Sequence, residues 1–197
     1  TKKSRLFHKI VLSTEDNKIK KIGKKIGFDI IWSRPKKLSN DKTKTIDVIK
    51  DFVKKNNLSP LDNICCIYPC NPFLDIRDLK KCLKILKSNK ENFIFPITNY
   101  THPIQRSFTL KLKNKVKFDY PKNVNKNTQL FKKRYHDAGQ FYWGKSKEWK
   151  KKKSIQDNGI GHIIPLYRAV DIDDHDDWIK AKYLFLGKKK LDKSVLQ

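Results

Sequence analysis

Hydrophobic and polar positions along this chain follow two periods in turn. Short apolar runs bounded by polar residues alternate with stretches whose apolar residues recur every three to four positions, the pattern of strands between amphipathic helices. "HKIVLST" (His8–Thr14) and "FDIIWS" (Phe28–Ser33) read as strands. Between them, Asp16 to Lys25 reads as a polar helix that closes near Gly27, a residue suited to a left-handed cap. Thr45 is an N-cap type of residue ahead of a helix whose apolar face is Ile46, Ile49 and Val53. "NICCIYP" (Asn63–Pro69) is the kind of apolar run shown by a strand covered on both faces. From Asp75 to Lys87, Leu79, Cys82, Leu83 and Leu86 fall at helical spacing, and "NFIFPITNY" follows as a strand. "FTLKLKNKVKF" (Phe108–Phe118) alternates and turns at Asn114, which predicts an exposed hairpin. Gln140 to Trp143 and Ile163 to Pro165 are two more strands, and Trp178, Ala181 and Phe185 line a closing helix.

Such alternation predicts an α/β sheet with mostly parallel strands. Ligands of these sheets sit beyond the carboxyl ends of the strands. Interest therefore falls on "STED" (Ser13–Asp16), "SRPKKLSND" (Ser33–Asp41), "YPCNPF" (Tyr68–Phe73), "TNYTHPIQR" (Thr98–Arg106) and "VDIDDHDDW" (Val170–Trp178), which are expected to converge on one edge.

Composition narrows the partners. The 197 residues suffice for one domain with a core and carry no internal repeat. A net charge of +26 raises the question of a nucleic-acid partner. Only six of the 46 basic residues are Arg, however, and the Lys are spread along the whole chain, so a solvated basic surface is the better reading. No apolar run has the ~18 residues a membrane span requires. Cys65, Cys66, Cys70 and Cys82 lack the paired spacing of a zinc site; free thiols fit a reducing cytoplasm.

Four places could carry chemistry. In "DID" (Asp171–Asp173), residues i and i+2 of an extended segment put two carboxylates on one side, a common way to hold Mg²⁺. The same run with Asp174, Asp176 and Asp177 also suits the acidic start of a helix. Arg34, held by Pro35, can face phosphate or carboxylate, or simply pair with Asp41. Pro69 and Pro72 make a rigid turn around Cys70-Asn71 that either presents backbone groups to a ligand or merely ends a strand. His136-Asp137 is either an acid–base or sugar-binding pair or a structural hydrogen bond. A nucleophilic triad and a Gly-rich phosphate loop are both absent from the sequence.

Taken together, "IVLSTED", "RPKKLSND", "CCIYPCNPFL", "FPIT" with "PIQR", "YHDAGQFYWGK" and "DIDDHDDW" resemble the acylneuraminate cytidylyltransferase family. "YHDAGQFYWG" and "HPIQR" resemble its pseudaminic acid branch. The resemblance implies a Rossmann-like nucleotidyltransferase fold, glycosyltransferase-A-like, with helices on both faces and an inserted β-hairpin arm over residues 99–135. It implies transfer of CMP from CTP to a nine-carbon sugar acid, with Mg²⁺ on Asp171 and Asp173 as the catalytic pair. It further implies a nucleotide site with Arg34, Pro69 and Asn71, and sugar contacts from Gln105, Arg106, His136, Asp137, Gln140 and Tyr142. A cytoplasmic homodimer using the Phe108–Phe118 hairpin is the implied assembly, equally readable as a solvated ribbon.

Two departures qualify this. The family opens with a strand and a P-A-R-x-G-S-K type loop that holds the triphosphate, and this chain begins after it. A single domain without its first strand–loop–helix, inactive alone and with one open strand edge, is the expectation. In "NKNTQLF" (Asn125–Phe131), Asn127 and Leu130 stand where the branch has a charged pair, which leaves the sugar open. N-acetylneuraminic or legionaminic acid, or a non-catalytic homologue with a basic binding surface, are the alternatives.

Overall fold

The structure, a computed structural model, describes residues 2–89 and 92–194, with side chains described as far as residue 189. In chain order the elements are β1 (Val11–Thr14), α1 (Asn17–Ile26), β2 (Ile30–Ser33), α2 (Thr45–Lys55), β3 (Asn63–Ile67), α3 (Ile76–Ser88) and β4 (Ile94–Asn99). The hairpin β5 (Phe108–Leu110) and β6 (Val116–Phe118) follows, then β7 (Tyr135–Asp137), β8 (Phe141–Lys145), α4 (Ser146–Lys151), β9 (Ile160–Ile163) and α5 (His175–Ser194). The chain divides into two compact units. One comprises the chain up to Ile67 with Asp75–Ile94 and Phe141–Ile160; the other comprises Tyr68–Leu74, Phe95–Gln140 and residues from Gly161 onward.

In the first unit β1 and β2 pair in parallel, Val11 opposite Ile30 and Thr14 opposite Ser33. Parallel strands need a crossover, and α1 supplies it. Its first turn is capped by Asp16, which accepts from the amides of Lys18 and Ile19, and Gly27 ends it at φ 80. The helix lies close to the strands because residue 23 is glycine; a Cβ there would stand 2.3 Å from Leu12 Cδ2. The second helix departs slightly from expectation. Thr45 is its first helical residue rather than its cap, and Val48 is buried beside Ile46 and Val53 while Ile49 is half-buried.

β3 pairs antiparallel with β8, Cys65 opposite Trp143, and Ile94 at the start of β4 also lies opposite Trp143. Both strands run against β8, so they share a direction. The α/β class holds, but the pairing is more mixed than mostly parallel, because β8 enters from the residue 100–140 excursion and not from a crossover helix. β3 was expected to be covered on both faces. Among the described residues it pairs only with β8, and Ile64 to Ile67 stay partly exposed. The core of this unit is Leu79, Cys82 and Leu86 from α3 with Phe93, Trp143 and Trp149. Trp149 meets Phe93 edge-on at 4.7 Å, and Phe7 stacks on Trp143 at 5.4 Å. Each fully buried leucine here contributes roughly 1.5–3 kcal/mol.

In the second unit Ile97, Thr98 and Asn99 of β4 pair antiparallel with Asp137, His136 and Tyr135 of β7. After β9, which pairs with β4, the Ile164 amide donates to the Ile97 carbonyl at 2.9 Å and Thr98 Oγ1 donates to the Ile164 carbonyl at 3.1 Å. A small apolar core joins Phe73, Val170 and Ala181, with Ile172 and Leu184 packed against it. Of the three residues expected to line α5, only Ala181 is buried; Trp178 and Phe185 are exposed. The packed face has turned toward Leu184, because the core it meets is only a few side chains wide. The hairpin forms as predicted and turns through Lys113 and Asn114, both left-handed at φ 56 and 57. Ser107 and Thr109 hydroxyls donate to Asp119 at its base, which holds that carboxyl below the usual range.

Candidate active site

The acidic segment takes its geometry from the core beneath it. Val170 is buried and Ile172 packs inward, so Asp171 and Asp173, which alternate with them, both turn outward to the same side. Burial raises the Asp171 carboxyl above its ordinary value, and the negative charges of Asp173 and then Asp177 raise it further. The helix start takes the other acids: Asp174 Oδ1 accepts from the Asp177 amide at 2.9 Å, and Asp177 Oδ2 accepts from the Asp173 amide at 3.3 Å. The acidic run therefore has two parts, a capping pair and an exposed pair, Asp171 and Asp173, whose like charges act on each other.

Three loops of the second unit meet at Gly139. Its amide donates to Asp137 Oδ1 at 2.9 Å, and its carbonyl accepts from Asn71 Nδ2 at 3.1 Å. Its open face lies against Asp171, since a Cβ there would come within 3.3 Å of Asp171 Oδ2. The backbone sits at φ 64, a left-handed conformation natural to glycine. Asn71 Nδ2 also donates to the Pro69 carbonyl at 3.0 Å, which closes the proline turn. Next in the chain, the Gln140 carbonyl accepts from the Tyr68 amide at 2.9 Å, and its side-chain Nε2 donates to the Arg168 carbonyl. Pro69, Asn71, Asp137, Gln140 and Asp171 are thus brought together.

The remaining expected contacts lie nearby in the chain. His136 is half-buried, its Nδ1 2.9 Å from the Asp137 carbonyl and its ring 4.9 Å from that of Tyr100. Gln105 donates from Nε2 to the Lys132 carbonyl at 3.1 Å. Arg106 lines a polar basin of about 480 Å³ with Val124, Asn125, Lys126, Asn127, Thr128 and Gln129. Two expected residues belong to the first unit. Arg34 is paired with Glu15, not with Asp41, and its Nε also donates to Ser39 Oγ at 3.1 Å. Tyr142 is buried within β8 opposite Cys66.

Sequence reasoning passed over Gly139 and the Arg168 carbonyl. A glycine two residues after Asp137 and directly before Gln140 was the only signal for the first, and a backbone acceptor leaves none.

The donor set suits a hard divalent cation with few protein ligands. Two outward carboxylates whose charges oppose each other gain from a cation between them, and Mg²⁺ commonly takes one or two carboxylates and completes its shell with water and phosphate. Among the described residues there is no cluster of three His, Cys, Asp or Glu, so a zinc-type cage is not offered.

The sequence profile of the family described as Cytidylyltransferase matches residues 1–159. This chain belongs to the cytidylyltransferase family. It is 31% identical over 185 residues to the pseudaminic acid cytidylyltransferase of Campylobacter jejuni serotype O:2, covering 92% of this chain and 80% of that one, with the same figures for serotype O:23/36. A Helicobacter pylori protein that joins a pseudaminic acid cytidylyltransferase to a UDP-2,4-diacetamido-2,4,6-trideoxy-β-L-altropyranose hydrolase is 29% identical over 153 residues, 77% of this chain and 29% of that one. A CMP:2-keto-3-deoxy-manno-octonic acid synthetase solved with CTP shares the fold at a TM-score of 0.60 and 11% identity, over 95% of this chain and 86% of that chain. The cytidylyltransferase is thus a Rossmann-like nucleotidyltransferase in architecture. Among its described residues no helix is long and apolar enough to cross a membrane.

Proposed function

We propose that this cytidylyltransferase transfers CMP from CTP to the anomeric hydroxyl of a nonulosonic acid, pseudaminic acid in the first place, and releases pyrophosphate. The observation that carries the reading is the exposed pair Asp171 and Asp173, close enough for the charge of one to raise the carboxyl of the other, in a chain 31% identical to pseudaminic acid cytidylyltransferases. These two carboxylates would hold Mg²⁺. When bound, Mg²⁺ neutralises charge that develops on the transferring phosphoryl group. The protein's own part is placement. The core under Val170 and Ile172 keeps both carboxylates on one side, and the Gly139 turn sets the sugar-side wall against Asp171.

On that wall His136 and Asp137 offer an imidazole edge and a carboxylate to sugar hydroxyls. Arg106, in its basin with Lys126, offers positive charge to the sugar carboxylate, and Asn125, Asn127 and Gln129 offer neutral amides to acylamido and hydroxyl groups. In-line attack then needs the hydroxyl positioned more than it needs covalent chemistry.

The test is pyrophosphate release from CTP and Mg²⁺ over a panel of pseudaminic, legionaminic and N-acetylneuraminic acids with an EDTA control. The assay uses the full gene product. Release with pseudaminic acid that EDTA abolishes is expected from the full product. Faster release with another acid reassigns the sugar, and no release with any of them refutes the reading.

A further inference from the structure

Gln140 is buried to 1% exposure, yet among the described residues its Oε1 has no hydrogen-bond donor, and Asn71 Oδ1 is likewise buried and unpartnered. In both amides the NH₂ group is engaged: Asn71 Nδ2 with the Pro69 and Gly139 carbonyls, Gln140 Nε2 with the Arg168 carbonyl. These bonds fix the orientation of each amide, because a flip would set an oxygen against a carbonyl oxygen. An acceptor held unpaired inside a protein costs stability, and an apolar side chain of the same shape would not incur that cost. The amides are therefore explained by what their N–H groups hold. What they hold is one turn: Asn71 pins Gly139, and Gln140 pins Arg168, three residues before Asp171. Gly139 in turn lies against Asp171 Oδ2.

We propose that Asn71 and Gln140 are positioning residues that clamp the Gly139 turn and the Arg168–Asp171 segment together, so that the backbone carrying Asp171 occupies one fixed place beside that turn. This rests on the reading of Asp171 as a cation-holding residue. The clamp reaches the base of Asp171 from both sides: Asn71 acts through the Gly139 turn that its carboxylate faces, Gln140 through the chain that carries it. The backbone around a carboxylate is thereby fixed before any cation arrives, as partners behind metal ligands generally do.

Mn²⁺ serves as the probe, its free concentration read by electron paramagnetic resonance on the full gene product, with thermal unfolding alongside. The variants are Asn71→Leu, Gln140→Met, the milder Asn71→Ser, and Asp171→Asn as reference. The expected result is Mn²⁺ affinity lowered about 10- to 100-fold in the three clamp variants, with Tm within about 4 °C of the parent. Affinity within twofold of the parent in all three, while Asp171→Asn has lost binding, overturns the clamp and leaves the metal reading standing. A large fall in Tm with unchanged affinity in the folded protein makes the amides structural and also overturns it. A parent that binds no Mn²⁺ above the level of Asp171→Asn sinks the metal reading, and the clamp with it.

Discussion

Replacing Gly139 by alanine tests the centre of the site with one carbon atom. The residue sits at φ 64, and a left-handed non-glycine residue costs about 1–2 kcal/mol. The new Cβ would also stand 3.3 Å from Asp171 Oδ2, tighter than most such contacts, so the carboxylate must give by a few tenths of an ångström. Asp171 is exposed and can rotate away, so the steric part should appear in metal binding more than in stability. For a chain of this length, 1–2 kcal/mol corresponds to a Tm lowered by about 2–8 °C. Gly187→Ala is the control: in α5 its Cβ would meet nothing within 4 Å, and a helical Gly→Ala change stabilises by up to ~1 kcal/mol. The assay is thermal unfolding with and without Mn²⁺. Gly139→Ala should unfold earlier and lose most of the metal-induced rise, while Gly187→Ala should unfold at the parent temperature or later and keep it. If both variants match the parent in Tm and in metal response, the assignment of Gly139 as the contact surface for Asp171 is wrong.

Other predictions are independent of that one. Asp171 has its folded pKa above the unfolded value, so its cost to stability is absent below the unfolded pKa and complete once pH has risen through the folded one. Asp171→Asn should then raise Tm at pH 7 without metal, by a small amount because the group is exposed and screened by water, and unfolding scans from pH 3 to 8 should show the gain only on the alkaline side. Burial pushes the Cys66 and Cys82 thiols up to about 12, with Cys65 also well raised, whereas Cys70 is exposed. A thiol reagent at pH 8 should label Cys70 first in the native protein, and peptide mapping that finds Cys82 labelled as fast would contradict the packing of α3. The Arg34 hydrogen bond lowers the Glu15 pKa, so the pair adds stability above the unfolded value that is lost as pH falls through the folded one. Carboxylate NMR should place Glu15 below the ordinary range of a glutamate and return it toward that range in Arg34→Ala. Leu86→Ala, which removes a fully buried side chain, should cost about 2–5 kcal/mol in chemical denaturation.

Much of this was readable before any coordinates. The helices announced themselves through local signals: Asp16 and Gly27 at the two ends of α1, and Leu79, Cys82 and Leu86 on the inner face of α3. The hairpin was readable from strict alternation interrupted at Asn114. Even the outward pair Asp171 and Asp173 followed from the pleat of an extended segment. What failed was burial of particular faces. β3 looked doubly covered because its residues are apolar, but coverage depends on which strands flank it. Trp178 and Phe185 looked like core at helical spacing, but the partner core ends before reaching them.

Local signals were enough for most of the elements, for the cytidylyltransferase family and for the segments that carry polar chemistry, because caps, periods and motifs act over a few residues; β7 and α4 were not read, and the strand expected at Ile163–Pro165 lies at Ile160–Ile163. Which of those segments share a place follows from the packed chain alone. Asn71, Gly139, Gln140 and Asp171 come from three stretches separated by tens of residues, and the bonds that join them end on backbone carbonyls. A carbonyl is present at every position and marks none, so its partner is visible only once the chain has folded. The same holds for Arg34, whose partner proved to be Glu15 across the β1–β2 pair and not the nearer Asp41. Long-range pairing is a property of the packed chain.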